Sequence, residues 1–262
     1  MQSVKEFYNK YQYPKSGQYT ANQKRTNKKI ILGILSTAKI SEKDIKGKRI
    51  LDAGCGTGEK SIFFTKAGAK EVIAIDFSKG QIEEAKKKAK KEQIKNLIFK
   101  EKDILKDNLE ELGKFDIIVC LGVLHHTSEP EKAFARILGR LKRKGIIIIG
   151  LYHKYSRLKY RIQRKLLRTF VSKDPEKIIA FISKINKNQR APKSTLYDRY
   201  TVPQESYHTL KEVNWWFKKH NISILGHKNI RNEKLEILNL FEKKTIFFVA
   251  GKKRNKFLPW TF

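Results

Sequence analysis

The chain has 262 residues, 40% of them hydrophobic, enough for one α/β domain with insertions around a sizeable core. Its 58 Lys and Arg against 26 Asp and Glu leave a formal net charge of +32, which favours an anionic partner; a lysine-biased composition alone gives the same balance. Two cysteines exclude a disulfide framework and a cysteine metal site, and no apolar run nears the ~20 residues of a membrane-spanning helix. Residues 1–15 hold no apolar signal core, so a reducing, cytoplasmic setting is expected.

Residues 1–44 are expected to form an N-terminal helical cap. Phe7, Tyr8, Tyr11, Tyr13 and Tyr19, with Pro14 and Gly17 between, either pack on the main domain or close over a ligand and donate a tyrosine. Ile30, Ile31, Ile34, Leu35 and Ala38 then recur at helical spacing. A short apolar strand begins at Arg49 and runs through Leu51, Asp52 and Ala53 into Gly54, Cys55, Gly56, Thr57 and Gly58, and a helix follows from Glu59. Glycines at alternate positions let the backbone turn sharply and approach a ligand closely. A second apolar strand, 71–75, ends in Asp76, where a carboxylate can accept both hydroxyls of a ribose, so strand, glycine turn, helix, strand and acid make a βαβ nucleoside-binding unit. The spacing G-x-G-x-G differs from the dinucleotide fingerprint, and Asp52 would repel a pyrophosphate while suiting a cationic amino-acid-bearing ligand.

The segment from Leu51 to Gly58 resembles the first motif of class I S-adenosylmethionine-dependent methyltransferases, in particular their small-molecule (type 11 and 12) group. The resemblance continues through Phe115 to Leu121, an apolar strand ending in Gly122, Val123, Leu124, His125 and His126, then through a helix 130–141 and the Lys144, Gly145 turn into a fifth strand, 146–151. It implies S-adenosylmethionine as cofactor. The glycine loop (Asp52, Gly54, Cys55, Gly56, Gly58) would hold the methionine part, Asp76 the ribose with Phe77 as a flat neighbour, Asp103 with Ile104 the adenine, and Leu121 would lie under the methyl donor. Asp103 also reads as an ordinary turn-forming residue.

After the fifth strand, Tyr155, Leu158, Ile162, Leu166 and Phe170 recur at helical spacing among arginines and lysines. This basic helix, 154–170, is expected either to pack its apolar face on the domain as a lid or to meet RNA or a membrane surface. A second helix follows over 175–185, then a polar linker, 186–194. Tyr197, Asp198, Tyr200, Tyr207 and His208 are where related small-molecule enzymes build the acceptor pocket. Tyr197, Asp198, Tyr207 and His208 are expected as substrate contacts, and His125, His126 and Tyr200 as catalytic groups, a neutral imidazole taking the acceptor's proton. Thr209 opens a last helix, and strands at 222–225 and 245–250 complete the sheet, the stretch between them being a helix or an excursion. Leu121 to Leu124 replaces the Asn or Asp, two prolines and aromatic of base amino-group methylators, and no Pro-Cys nucleophile is present.

The expected fold is α/β: a doubly wound, mostly parallel seven-stranded Rossmann-like sheet with an antiparallel last strand. An N-terminal helical cap (1–44) precedes the cofactor-binding core (45–152), a basic helical insertion or acceptor lid (153–208) follows it, and residues 209–262 finish the sheet. The expected activity is methyl transfer to oxygen or carbon of a small or lipid-like acceptor without a metal, in the cytoplasm or at a membrane periphery. An RNA methyltransferase and a non-catalytic scaffold of the same fold are the alternatives.

Overall fold

A computed structural model describes residues 3–11, 21–185, 193–242 and 244–254. The expectations for Tyr13, Pro14, Gly17 and Tyr19, and for most of the 186–194 linker, fall outside the described residues. Seven strands, β1 (Arg49–Ala53), β2 (Glu71–Asp76), β3 (Leu97–Glu101), β4 (Phe115–Leu121), β5 (Leu141–Tyr152), β6 (Ile222–Lys228) and β7 (Ile246–Lys253), form one sheet in the order β3-β2-β1-β4-β5-β7-β6. All neighbours pair in parallel except β7, which runs antiparallel to both β5 and β6. The strand order reverses between β1 and β4, and ligands of such sheets bind in the crevice beyond the carboxyl ends there.

The helices are α1 (Val4–Lys10), α2 (Ala21–Leu35), α3 (Glu59–Lys66), α4 (Lys79–Lys91), α5 (Pro130–Leu138), α6 (Leu158–Phe170), α7 (Pro175–Ile185), α8 (Lys193–Tyr200) and α9 (Leu210–Lys219). Successive strand residues point to opposite faces, and both faces here are covered. Leu51, Ile73, Ile118 and Ile147 meet Phe134 of α5 and Phe217 of α9 on one side. Ile50, Val72, Ile117 and Ile148 meet Ile31 and Ile34 of α2 and Phe64 of α3 on the other. Phe134 stacks on Phe217 at 5.3 Å, fixing α5 to α9.

One element departs from expectation, and two others fall on one side of alternatives that the sequence left open. The fifth strand starts at Leu141, with α5 ending at Leu138, because Leu141 is buried opposite Phe115 in the sheet; Lys144 then takes a left-handed turn at φ 60° within the strand. The 229–244 stretch carries a 3₁₀ run, Glu233–Phe241, capped by Asn232, whose side chain accepts from Leu235 N at 3.1 Å. Beyond the half-buried Tyr155 and Leu158, the apolar face of α6 does not pack on the domain: Ile162, Leu166 and Phe170 are 52%, 50% and 79% exposed, and the buried residue of the helix is Arg164. Glu205 explains that reversal. Its buried carboxylate pairs with Arg157 at 2.7 Å and with Arg164, and Arg168 reaches the Val202 carbonyl at 3.0 Å. Two buried guanidiniums sharing one buried carboxylate orient α6 more strongly than its apolar stripe can.

Candidate functional site

A cavity of about 430 Å³ lies beyond the carboxyl ends of β1, β2 and β4, within the ~300–1,000 Å³ of small-molecule sites. Its floor is the loop after β1. Gly54 and Cys55 donate to the Ile75 carbonyl at 2.8 and 3.0 Å, and Gly56 donates to Asp76 Oδ2 at 2.9 Å, so the loop is tied to the end of β2. Gly54, Gly56 and Gly58 have φ of 76°, 54° and 83°, a region that L side chains rarely adopt. A Cβ on Gly54 would also fall 2.1 Å from Val123 Cγ2 of the loop after β4.

Gly54, Cys55, Gly56, Asp76, Phe77, Asp103, Ile104 and Leu121 all line the cavity. Asp76 is buried, and burial raises its pKa against the backbone hydrogen bonds from Ser78 and Gly56. Each of its oxygens takes one of those bonds, and a carboxylate has acceptor sites to spare. Asp103 is both turn former and cavity wall: Oδ1 accepts from Leu105 N at 2.8 Å. Two expected cofactor contacts sit elsewhere. Asp52 is fully buried behind the loop, accepting from Ser61 Oγ at 2.7 Å with Lys60 Nζ at 3.8 Å, and burial raises its pKa; Lys60 and Glu59 line the cavity in its place. Gly58 faces Ala85 and Phe99, so its missing side chain lets α4 and β3 approach.

The far wall unites residues from four elements. Tyr8 of α1, His126 after β4, Tyr152 at the end of β5 and Asp198 of α8 all line the cavity. Asp198 accepts from Tyr8 OH at 2.7 Å and from Tyr152 OH at 2.9 Å, and His126 Nε2 stands 4.0 Å away. Tyr8 of the cap both packs beside Phe7 and Val202 and stands in the cavity wall. Tyr152 lies against His125, ring centroids 3.8 Å apart, and the Arg157 guanidinium sits 3.8 Å from the same ring, which links the Glu205 cluster to the cavity.

The two histidines differ in tautomer. His126 Nδ1 is 3.0 Å from the Gln204 carbonyl, which can only accept, so Nδ1 carries the proton and Nε2 keeps its lone pair toward Asp198. Burial lowers the His126 pKa, with Asp198 partly opposing it, so the ring is neutral at pH 7. His125 Nδ1 instead accepts from Tyr152 N at 3.2 Å, which puts its proton on a buried Nε2 that has no hydrogen-bond partner among the described residues. Burial, then His126 and Arg157, push its pKa well down. His125 does not line the cavity, so of the expected catalytic groups His126 alone does.

The other expected acceptor contacts lie outside the cavity wall and are engaged with protein groups. Tyr197 stacks on Tyr11 at 4.1 Å and donates to Glu176; Tyr200 packs edge-on to Tyr160 at 6.0 Å; Arg161 lies over Tyr207 at 4.5 Å. His208 is held between Ser206 Oγ at 2.8 Å and Glu212 at 2.9 Å. Asp198 is the member of that group in the cavity wall. Tyr152 escaped sequence reasoning because it falls one residue beyond the expected fifth strand, 146–151, where no motif singles it out.

The glycine loop, the acids at two strand ends and the sheet order define a class I methyltransferase fold. A family model described as "Methyltransferase domain" matches residues 44–243, and the chain belongs to that family. An uncharacterized protein of Synechococcus sp. is 34% identical over 114 residues, 43% of this chain and 27% of that one. The ubiquinone biosynthesis O-methyltransferase of Rickettsia bellii is 28% identical over 185 residues, 69% of this chain and 67% of the relative. Magnesium protoporphyrin IX methyltransferase from Synechocystis, solved with S-adenosylmethionine, superposes with a TM-score of 0.57 at 16% identity, over 95% of both chains. The chain spans well under half the length of the first two curated relatives it matches.

Proposed function

We propose that this protein transfers a methyl group from S-adenosylmethionine to an oxygen or acidic carbon of a small, apolar acceptor. Bound there, the cofactor supplies an electrophilic methyl group on a sulfonium. The side chains of the cavity suit it: Asp76 for two ribose hydroxyls, Asp103 and Ile104 for an adenine edge, Lys60 for a carboxylate, and bare backbone at Gly54 and Gly56. Methyl transfer is an in-line displacement, so most of the acceleration comes from holding the partners aligned.

The observation that carries the acceptor side is the His126 and Asp198 pair. A neutral imidazole with a free Nε2 can take the proton of a hydroxyl or acidic carbon as it attacks, and Asp198 at 4.0 Å stabilises the imidazolium that forms. Tyr8 and Tyr152 hold that carboxylate in place. An apolar acceptor is favoured by Ile31, Ile34, Ile246 and Phe248, which line the side of the cavity toward α2. Two of the proteins this chain resembles are named for ubiquinone biosynthesis and for magnesium protoporphyrin IX.

Calorimetry with S-adenosylmethionine comes first, and Asp76→Ala should abolish the binding seen with wild type; no binding by either removes the cofactor assignment, and equal binding by both removes the ribose role of Asp76. Labelled methyl transfer to an apolar cell extract then identifies the acceptor. His126→Ala should lower turnover by about 10²–10⁴-fold at unchanged cofactor affinity. Turnover within twofold of wild type would sink the base role.

A further inference from the structure

Two segments near the cavity turn apolar side chains to solvent. Along α6, Ile162, Leu166 and Phe170 form one exposed stripe at four-residue spacing, while Arg157, Arg164 and Arg168 face inward to Glu205 and Val202. In the Glu233–Phe241 run, Leu235, Ile237 and Leu238 are exposed, and the buried members are Glu236 and Asn239. Helices on globular proteins usually do the reverse. Buried polar bonds hold both reversals, so the exposure is built into the fold. Glu236 bonds His153 at 2.9 Å and the Leu210 amide, and Asn239 Oδ1 accepts from Arg231 N at 3.1 Å.

The two segments leave the sheet at the carboxyl ends of β5 and β6, the edge at which the cavity lies. The His153 to Glu236 bond joins their roots. Exposed lysines accompany each: Lys159, Lys165 and Lys173 on and just beyond α6, Lys234 and Lys244 at the other. Apolar side chains set among ammonium groups match the interface of a bilayer with anionic headgroups, where the former enter below the headgroups and the latter meet phosphate. The apolar side of the cavity also reaches the surface. Ile30 lines it and is 55% exposed, and the end of β6 adjoins that place, with Lys228 Nζ donating to the Gly33 carbonyl at 2.7 Å and Asn229 to the Ile246 carbonyl at 3.3 Å.

We infer that the face made by α6 and the Glu233–Phe241 run seats on a bilayer containing anionic lipid, and that an apolar acceptor passes from it into the cavity past Ile30. The docking claim stands on this surface alone, and the acceptor clause rests on the methyl-transfer reading.

Flotation of the full chain with phosphatidylcholine vesicles, with and without phosphatidylglycerol as roughly a third of the lipid, tests it. Wild type should float with the anionic vesicles and be released by salt. Leu166→Gln with Phe170→Gln, and separately Leu235→Gln with Ile237→Gln, should each weaken binding about tenfold, while Lys159→Gln with Lys165→Gln removes only the preference for anionic lipid. Circular dichroism and S-adenosylmethionine calorimetry should not change in these variants. The proposal is overturned if wild type fails to float at low salt, or if the apolar variants float as it does. It is equally overturned if wild type is a dimer that Leu166→Gln with Phe170→Gln splits, or if the chain binds RNA and leaves vesicles alone. Flotation with no cofactor binding by wild type would remove the methyl-transfer reading and support the docking face.

Discussion

In β4 the side chains that go inside are Phe115, Ile117, Ile118, Val119 and Cys120; in α6 the one that is buried is an arginine. Both segments have a clear apolar pattern, continuous in β4 and at four-residue spacing in α6. Strand β4 lies between β1 and β5 with helices on both faces, so every apolar side chain finds a partner. Helix α6 lies beside a buried Glu205, and leaving that carboxylate unpaired would cost more than exposing three apolar side chains. Periodicity therefore reports a buried face only where no buried charge competes for it.

Mutations can break this comparison. Glu205→Ala strands two buried guanidiniums and should cost about 3–5 kcal/mol in urea unfolding, as much as a large core truncation. A cost under about 1 kcal/mol would mean that the arginines do not orient α6. Phe134→Ala, removing the ring stacked on Phe217, should cost a similar ~3–5 kcal/mol through the cavity it leaves.

Acid should act more mildly. His125 and His126 are neutral when folded because burial lowers their pKa, whereas the unfolded chain protonates near the ordinary imidazole value of 6.5. The unfolded state then binds more protons, so stability is fully present above that value and falls as pH drops below it. His125→Phe should flatten this acid limb in melts recorded from neutral to mildly acid pH. A limb unchanged in that variant would assign it to other groups.

The smallest effect is expected at the α6 stripe. Leu166→Gln removes an apolar side chain that is half exposed and should change stability by no more than about 0.5 kcal/mol. A loss of several times that would mean that the stripe packs against something in solution.

The cofactor side of the site was largely legible in residue order. Gly54, Gly56, Asp76 and Asp103 follow strand ends directly, and a parallel sheet delivers successive strand ends to one edge. Asp52, expected with the glycine loop, lies buried behind it, because residue order alone does not tell a buried acid from one in the cavity wall. The acceptor side was poorly legible: of Tyr197, Tyr200, Tyr207 and His208, none lines the cavity, and Tyr8, His126, Tyr152 and Asp198 come from segments far apart in sequence.

The sequence by itself determined the sheet, its strand directions and the glycine loop, because these depend on local spacing and on backbone conformations open chiefly to glycine. Only the tertiary structure decided which histidine presents a lone pair to the cavity, which tyrosines hold Asp198, and which way α6 faces. Those outcomes turn on single carbonyls and carboxylates brought together by packing, and no local pattern encodes them.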